Sequence, residues 1–269
     1  MYNNTGIQFI APFDMWIRDY NMAAGPSKPE KKDSIAIIPI RGTIGKYSMW
    51  ADEVSTIAIK QSVRKAMVDD SIKGILLSID SPGGNVGGMA EAADAIYEAR
   101  LVKPVYAQVD GMAASAAYWL ASQAEKVYAG PMDVVGSIGV YTVIMDDSER
   151  MEKAGVKFHL ITTGEYKGTE AGGKITDAYI EHRQELVNTY FEFFINAIER
   201  GRNMSRADIM PSADGKLFVG KQGVDNGLVD GIQSFQATAL ELVRSINPTS
   251  NFSATDESDR LSLLIKQID

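Results

Sequence analysis

Apolar and polar positions along this chain fall into short runs of strand length that alternate with longer stretches at helical spacing. Ser34-Ile-Ala-Ile-Ile-Pro-Ile40 is β-branched and reads as a first buried strand, with Arg41-Gly-Thr-Ile-Gly45 turning out of it. Val54, Ile57, Ala58, Val63, Ala66 and Met67 then recur at helical spacing, and Asp69-Asp-Ser71 closes that helix. Lys73-Gly-Ile-Leu-Leu-Ser-Ile79 reads as a second strand running into Asp80-Ser-Pro-Gly-Gly-Asn85, with a helix expected over residues 86–100. Pro104-Val-Tyr-Ala-Gln-Val109 is a third strand, which delivers Asp110-Gly-Met-Ala-Ala-Ser-Ala-Ala-Tyr118 and a helix to about residue 123. Val127-Tyr-Ala129 is a short fourth strand, and Val156-Lys-Phe-His-Leu-Ile161 reads as a further one. The strongest helical pattern covers residues 176–201, with Ile180, Val187, Tyr190, Phe191, Phe194, Ile195 and Ile198 on one face. Thr176 is placed to cap it and Gly201 to end it, and the aromatic face is expected to be core or subunit contact.

Strand, helix, strand order predicts an α/β fold with a mostly parallel sheet covered by helices, joined by right-handed crossovers. Ligands bind such sheets at the carboxyl ends of the strands. The loops at 80–85 and 110–116 both fall there. Residues 22–34 are rich in Pro, Gly and charge, so residues 1–33 read as an N-terminal arm and linker ahead of a domain over 34–246. The tail over 247–269 is polar and is expected to be disordered or partner-bound.

Composition narrows the function classes. The 269 residues are 45% hydrophobic, enough to bury a substantial core. With 27 Lys and Arg against 35 Asp and Glu, the net charge of −8 argues against a grip on nucleic acid or an anionic membrane. There is no cysteine, which removes disulfides, thiolate metal sites and cysteine nucleophiles together. No apolar run approaches the roughly 20 residues that cross a bilayer, and the N-terminus lacks a basic start, so a cytoplasmic protein is expected.

Ser115 is the candidate nucleophile. Small residues let the chain turn sharply at a strand end, so one side chain stands clear of the sheet while the N–H groups at the helix start stay free. A tightly packed Ala/Ser helix would give the same letters. Acyl transfer also needs a base and donors for the oxyanion. The two histidines, His159 and His182, lie in the apparent strand and on the outer part of the long helix, which disfavours a histidine triad. Lysine replaces histidine where desolvation disfavours its ammonium form, and Lys167 in Thr163-Gly-Glu-Tyr-Lys-Gly168 is the candidate. Gly83 and Gly84, between a strand and a helix, let bare backbone approach a carbonyl, although Asp-Ser-Pro-Gly-Gly equally suits a plain turn.

The ordered set Asp80-Ser-Pro-Gly-Gly-Asn85, Asp110 to Tyr118, Gly136-Ser-Ile-Gly-Val140, Gly164-Glu-Tyr-Lys167 and Gly227-Leu-Val-Asp230 resembles the signal peptide peptidase A family. That family is similar in fold to the Clp protease proteolytic subunit and the crotonases, built from repeated β-β-α type units. The resemblance implies a serine endopeptidase with a Ser115/Lys167 dyad, Ser137 orienting the lysine, and Gly84 with the Ala116 N–H as the oxyanion hole, Gly83 contributing less. Ala116 and Ala117 stand where many members have glycine; alanine still supplies its N–H. No metal or cofactor is implied, and the partners expected are a peptide or unfolded protein substrate and further copies in a homo-oligomeric ring. With one catalytic module and no membrane anchor, the chain is similar to the short peptidases of phage heads, which suggests association with a procapsid. Apolar residues around Tyr118 and Met132 suggest small or apolar substrate side chains. Two rivals are an acyl-CoA enzyme of crotonase type, for which no convincing carboxylate bases or basic phosphate site are found, and a head-assembly scaffold without catalysis.

Overall fold

The computed structural model describes residues 8–9, 34–48, 50, 52–171 and 175–246, so most of the expected arm and all of the expected tail lie outside the described residues. In chain order the strands are β1 (Gln8–Phe9), β2 (Ser34–Arg41), β3 (Thr43–Gly45), β4 (Glu53–Ser55), β5 (Ile72–Ser81), β6 (Val105–Ala114), β7 (Lys126–Ala129), β8 (Val134–Gly136), β9 (Leu217–Val219) and β10 (Gly231–Ile232). The α-helices are α1 (Thr56–Val68), α2 (Met89–Arg100), α3 (Ala116–Ala121), α4 (Ser148–Lys153), α5 (Asp177–Arg202), α6 (Arg206–Ile209), α7 (Gly220–Asp225) and α8 (Phe235–Ile246). The described residues divide into two compact units, one holding residues up to Ile138 and again from Ile195, the other Gly139–Phe194.

In the first unit the sheet runs β1-β2-β5-β6-β7-β10, parallel from β2 onward, with β1 antiparallel at its edge. Beyond this path β8 pairs with β6 in parallel and β9 with β8 in antiparallel fashion. The central strands are apolar on both faces because both faces are covered. Ile35, Ile37, Leu76, Tyr106 and Tyr128 form one cluster with Ala239 and Leu242 of α8. The alternate residues Ile38, Ile40, Ile75, Leu77, Val105 and Ala107 are buried as well, and α1, α2 and α3 pack on the sheet.

Local chemistry fixes the helix ends. The Ser55 hydroxyl caps α1 by accepting from the N–H groups of Ile57 and Ala58. At the other end Lys103 donates to the carbonyls of Ala66 (2.9 Å) and Asp69 (2.6 Å), and burial pulls its amine below the ordinary lysine value against the opposing charges of Asp69 and Asp70. Between α8 and the sheet, the Glu241 carboxylate accepts from Lys126, Tyr128 and Gln233, each at 2.7 Å.

The long helix begins as expected, with Thr176 Oγ1 accepting from the Tyr179 N–H at 3.2 Å. It ends one residue past Gly201, at Arg202, and a Cβ on Gly201 would stand 2.1 Å from the Ser122 carbonyl oxygen, so this glycine also marks close packing. The expected apolar face is buried only toward its C-terminal part: Phe194, Ile195 and Ile198 are enclosed, whereas Ile180 and Tyr190 are exposed.

In the second unit the expected strand at 156–161 is not formed. Its alternating Val156, Phe158 and Leu160 match a strand period, yet no ladder among the described residues pairs with it, and all three side chains are exposed. A lone extended segment leaves its N–H and C=O groups to water. Here Tyr179 donates to Glu170 (2.6 Å), Arg183 lies 3.7 Å from the same carboxylate, and Tyr166 stacks on His182 with ring centroids 5.1 Å apart.

Candidate active site

Strand β6 continues past Val109, where a turn was expected, to Ala114. Pairing of Ile79 with Val109 and of Ser81 with Ala113 gives β6 two more residues than β5 over this interval. Beyond this irregularity Met112, Ala113 and Ala114 pair with Val134, Val135 and Gly136 of β8. The strand therefore ends among new neighbours, and the next residue is Ser115.

Ser115 has φ 52° and ψ −124°, in backbone space that L-residues other than glycine rarely occupy. Its N–H donates to the Gly136 carbonyl at 2.8 Å, and its own carbonyl accepts from Trp119 at 3.0 Å as α3 begins. The small-residue run makes this strand-to-helix reversal possible: Ala113, Ala114, Ala116 and Ala117 are all buried, with no space for larger side chains. Ser115 itself is half-buried.

Gly83 stands against this turn. With φ +96°, it would place an added Cβ 2.7 Å from the Ala114 carbonyl oxygen, 2.8 Å from Ser115 Cβ and 2.9 Å from the Ala116 nitrogen. A Cβ on Gly84 would lie 1.8 Å from the Ile44 carbonyl oxygen. Only bare backbone fits between β3 and the serine turn. The Gly83 N–H donates to Ser81 Oγ at 3.1 Å, which differs from the donor role expected for it. Among the described residues neither the Gly84 nor the Ala116 N–H donates to another protein group.

Ser137 follows the carbonyl that holds Ser115, also has positive φ (49°), and donates its N–H to the Lys216 carbonyl at 2.7 Å. The first unit thus brings together Gly83, Gly84, Ser115, Ala116 and Ser137. Lys167 belongs to the second unit, exposed on a turn closed by its N–H to the Gly164 carbonyl at 3.1 Å. His159 is exposed in that unit, and His182 is half-buried and engaged by Tyr166.

The support behind the serine turn was not foreseen from the sequence. The Tyr118 hydroxyl donates to the Leu228 carbonyl at 2.9 Å, and burial drives its pKa well above the ordinary tyrosine value. Tyr118 is therefore core, whereas Met132 is exposed. Gln123 donates to Ala197 and accepts from Arg200, while Arg202 pairs with Asp230. Backbone partners such as Gly136 and Lys216 leave no side-chain signature that a sequence pattern could reveal.

The chemistry this arrangement offers is attack by a hydroxyl beside two free N–H donors, the composition of an acyl-transfer site. Comparison with known proteins agrees. Residues 98–247 match the model of Peptidase family S49, and residues 44–131 that of Clp protease. The chain is 27% identical to Protease 4 of Haemophilus influenzae over 84% of this chain and 37% of that protein. It is 31% identical to a protein of Enterococcus faecium named for signal peptide peptidase SppA, over 68% of this chain and 53% of that one. With the head-tail preconnector protein GP5 of Enterobacteria phage P21 the identity is 30%, over 87% and 49%. The chain thus spans about half or less of the length of these relatives. Because the first family model covers more than half of the chain and contains the serine turn, the chain belongs to peptidase family S49.

Proposed function

We propose that this chain is a serine endopeptidase that cleaves extended peptides or unfolded proteins, with Ser115 as nucleophile and Lys167 as general base. The observation that carries the reading is the posture of Ser115, held at positive φ between the end of β6 and the start of α3, against the Gly83–Gly84 backbone. Ser115 Oγ attacks the peptide carbonyl carbon and its proton passes to Nζ of Lys167. The oxyanion is received by the N–H groups of Gly84 and Ala116, while Gly83 shapes the approach. Collapse expels the amine, which takes the proton from Lys167; water then gives a proton to Lys167 Nζ as it attacks the acyl-enzyme, and the acid is released as that proton returns to Ser115 Oγ. Ser137 orients Lys167. No cofactor takes part in these steps.

We assign the peptidase module to residues 34–246. Lys167 is exposed within the chain, so the shielding that an amine base needs is assigned to substrate and to neighbouring copies in a homo-oligomeric ring. Exposed apolar side chains of the second unit, Phe193 at 57% and Ile161 at 95%, support such association. Among the described residues no helix is long and apolar enough to cross a membrane. We read the protein as cytoplasmic, and the likeness to a phage head-tail preconnector protein supports association with a procapsid.

A peptide ester tests the chemistry. Intact-mass and peptide mapping after rapid quenching should find an acyl adduct on the peptide containing Ser115, and none in Ser115→Ala. An adduct elsewhere, or the same adduct in Ser115→Ala, would overturn the assignment.

A further inference from the structure

We infer that Ser81 is a positioning residue for the oxyanion hole: its buried hydroxyl pins Gly83, so that Gly84 presents the one free N–H of that loop to the bound carbonyl. The inference deepens the peptidase reading of the site at Ser115 and rests on it. The loop's donors are accounted for one by one. Pro82 has no N–H. The Gly83 N–H is given to Ser81 Oγ at 3.1 Å, and the Asn85 N–H to the Ile44 carbonyl at 3.0 Å. Among the described residues no protein group accepts from the Gly84 N–H, and Gly84 is exposed whereas Ser81 and Gly83 are buried. Planarity sets the direction of that N–H. The Gly83 carbonyl accepts from the Ile44 N–H at 2.8 Å, and in a trans peptide the C=O and the following N–H point opposite ways. The Gly84 N–H is therefore aimed away from β3.

This aim depends on Gly83 keeping its φ of +96°. Glycine adopts positive and negative φ about equally, so nothing in the residue itself holds that angle. Two hydrogen bonds do, the one from Ile44 on the peptide after Gly83 and the one to Ser81 on the peptide before it. Ser81 is a firm anchor. It is the last residue of β5 and pairs with Ala113 of β6, two residues ahead of Ser115. Its side chain is enclosed, with the residue 0% exposed, and a hydroxyl in such a place costs free energy unless it is hydrogen-bonded. With alanine at position 81 the buried Gly83 N–H loses its acceptor. The peptide before Gly83 then turns to find another, and Gly83 leaves +96°. Because Gly83 stands against Ala114, Ser115 and the Ala116 nitrogen, that movement changes the spacing between the two proposed donors, Gly84 and Ala116.

The test separates donor placement from folding and from ordinary binding. The full chain is titrated with acetyl-Leu-Leu-alaninal, a peptide aldehyde, and with the matching alcohol, acetyl-Leu-Leu-alaninol. Ser115 Oγ adds to the aldehyde carbon, the C=O electron pair moves onto oxygen as an oxyanion, and the serine proton passes to Lys167 Nζ as proposed above; the alcohol forms no bond. Wild type should bind the aldehyde about a hundredfold tighter than the alcohol, and Ser81→Ala should cut that ratio about tenfold or more. Both ligands need the folded site, so a merely structural loss leaves the ratio unchanged. In parallel, amide exchange at Gly83 should quicken about tenfold or more in Ser81→Ala relative to Ile75, whose N–H is held by the Pro104 carbonyl at 2.9 Å. An unchanged ratio, or unchanged exchange at Gly83, would overturn the role given to Ser81. Failure of the peptidase reading shows separately, as no aldehyde advantage in wild type or an advantage kept by Ser115→Ala, and it withdraws the role of Ser81 as well.

Discussion

At Gly83 a single hydrogen replaces a side chain because three atoms of the serine turn stand within 3 Å of where a Cβ would be. Gly83→Ala therefore pushes the proposed oxyanion loop away from the proposed nucleophile, Ser115. Peptide cleavage should fall by about 10² to 10³, the cost of losing one oxyanion donor, with far-ultraviolet circular dichroism unchanged. Cleavage at the wild-type rate would show that the loop is not part of the site. Tyr118 acts at the same scale from behind. Tyr118→Phe keeps the ring but leaves the Leu228 carbonyl without its donor, and denaturant titration should find a loss of about 1–3 kcal/mol. Because burial holds the Tyr118 pKa high, the hydroxyl remains a donor at ordinary pH and this loss should be the same at pH 6 and pH 9.

At the scale of elements, α8 is held to the sheet by a carboxylate. Burial pushes the Glu241 pKa up, but hydrogen bonds from Lys126, Tyr128 and Gln233 outweigh burial and leave it below its ordinary 4.5. A depressed folded-state pKa contributes stability that is present above the unfolded value and is lost as pH falls through the folded one. Wild type should therefore melt above Glu241→Gln at neutral pH, and the gap should close as pH drops below about 4.5. A gap that is constant with pH would contradict the role given to the charge. A second clamp is the pair Arg202 and Asp230, 2.7 Å apart, in which the arginine side chain is 6% exposed. Asp230→Ala leaves that buried guanidinium without its counter-charge, with the Gly227 carbonyl still accepting from it, and should cost about 3 kcal/mol, while replacing both residues by apolar ones should cost less. Elements were legible in the sequence where burial follows the chain's own period. The runs at 34–40 and 73–79 became β2 and β5, and the small-residue turn became the reversal at Ser115. The segment at 156–161 misled because alternation records which side chains would share a face, not whether a partner strand exists. Gly201 lies one residue from the helix end and also at a close contact, a second role that the glycine letter does not reveal.

For the whole molecule, Gly83, Gly84 and Ser115 were readable as neighbours because they follow the ends of paired strands of one sheet. The positive φ of Ser115, the Gly136 and Lys216 carbonyls, and the engagement of the Gly83 N–H by Ser81 are backbone matters with no letter of their own. The two compact units carry the proposed nucleophile and the proposed base separately, so the dyad is the central claim. It is tested most directly by incubating an unfolded protein with wild type, Ser115→Ala and Lys167→Ala at neutral and mildly alkaline pH, with gel and intact-mass readout. The account predicts cleavage by wild type alone, faster at the higher pH because a general base acts in its neutral form. Equal cleavage by all three proteins would contradict it.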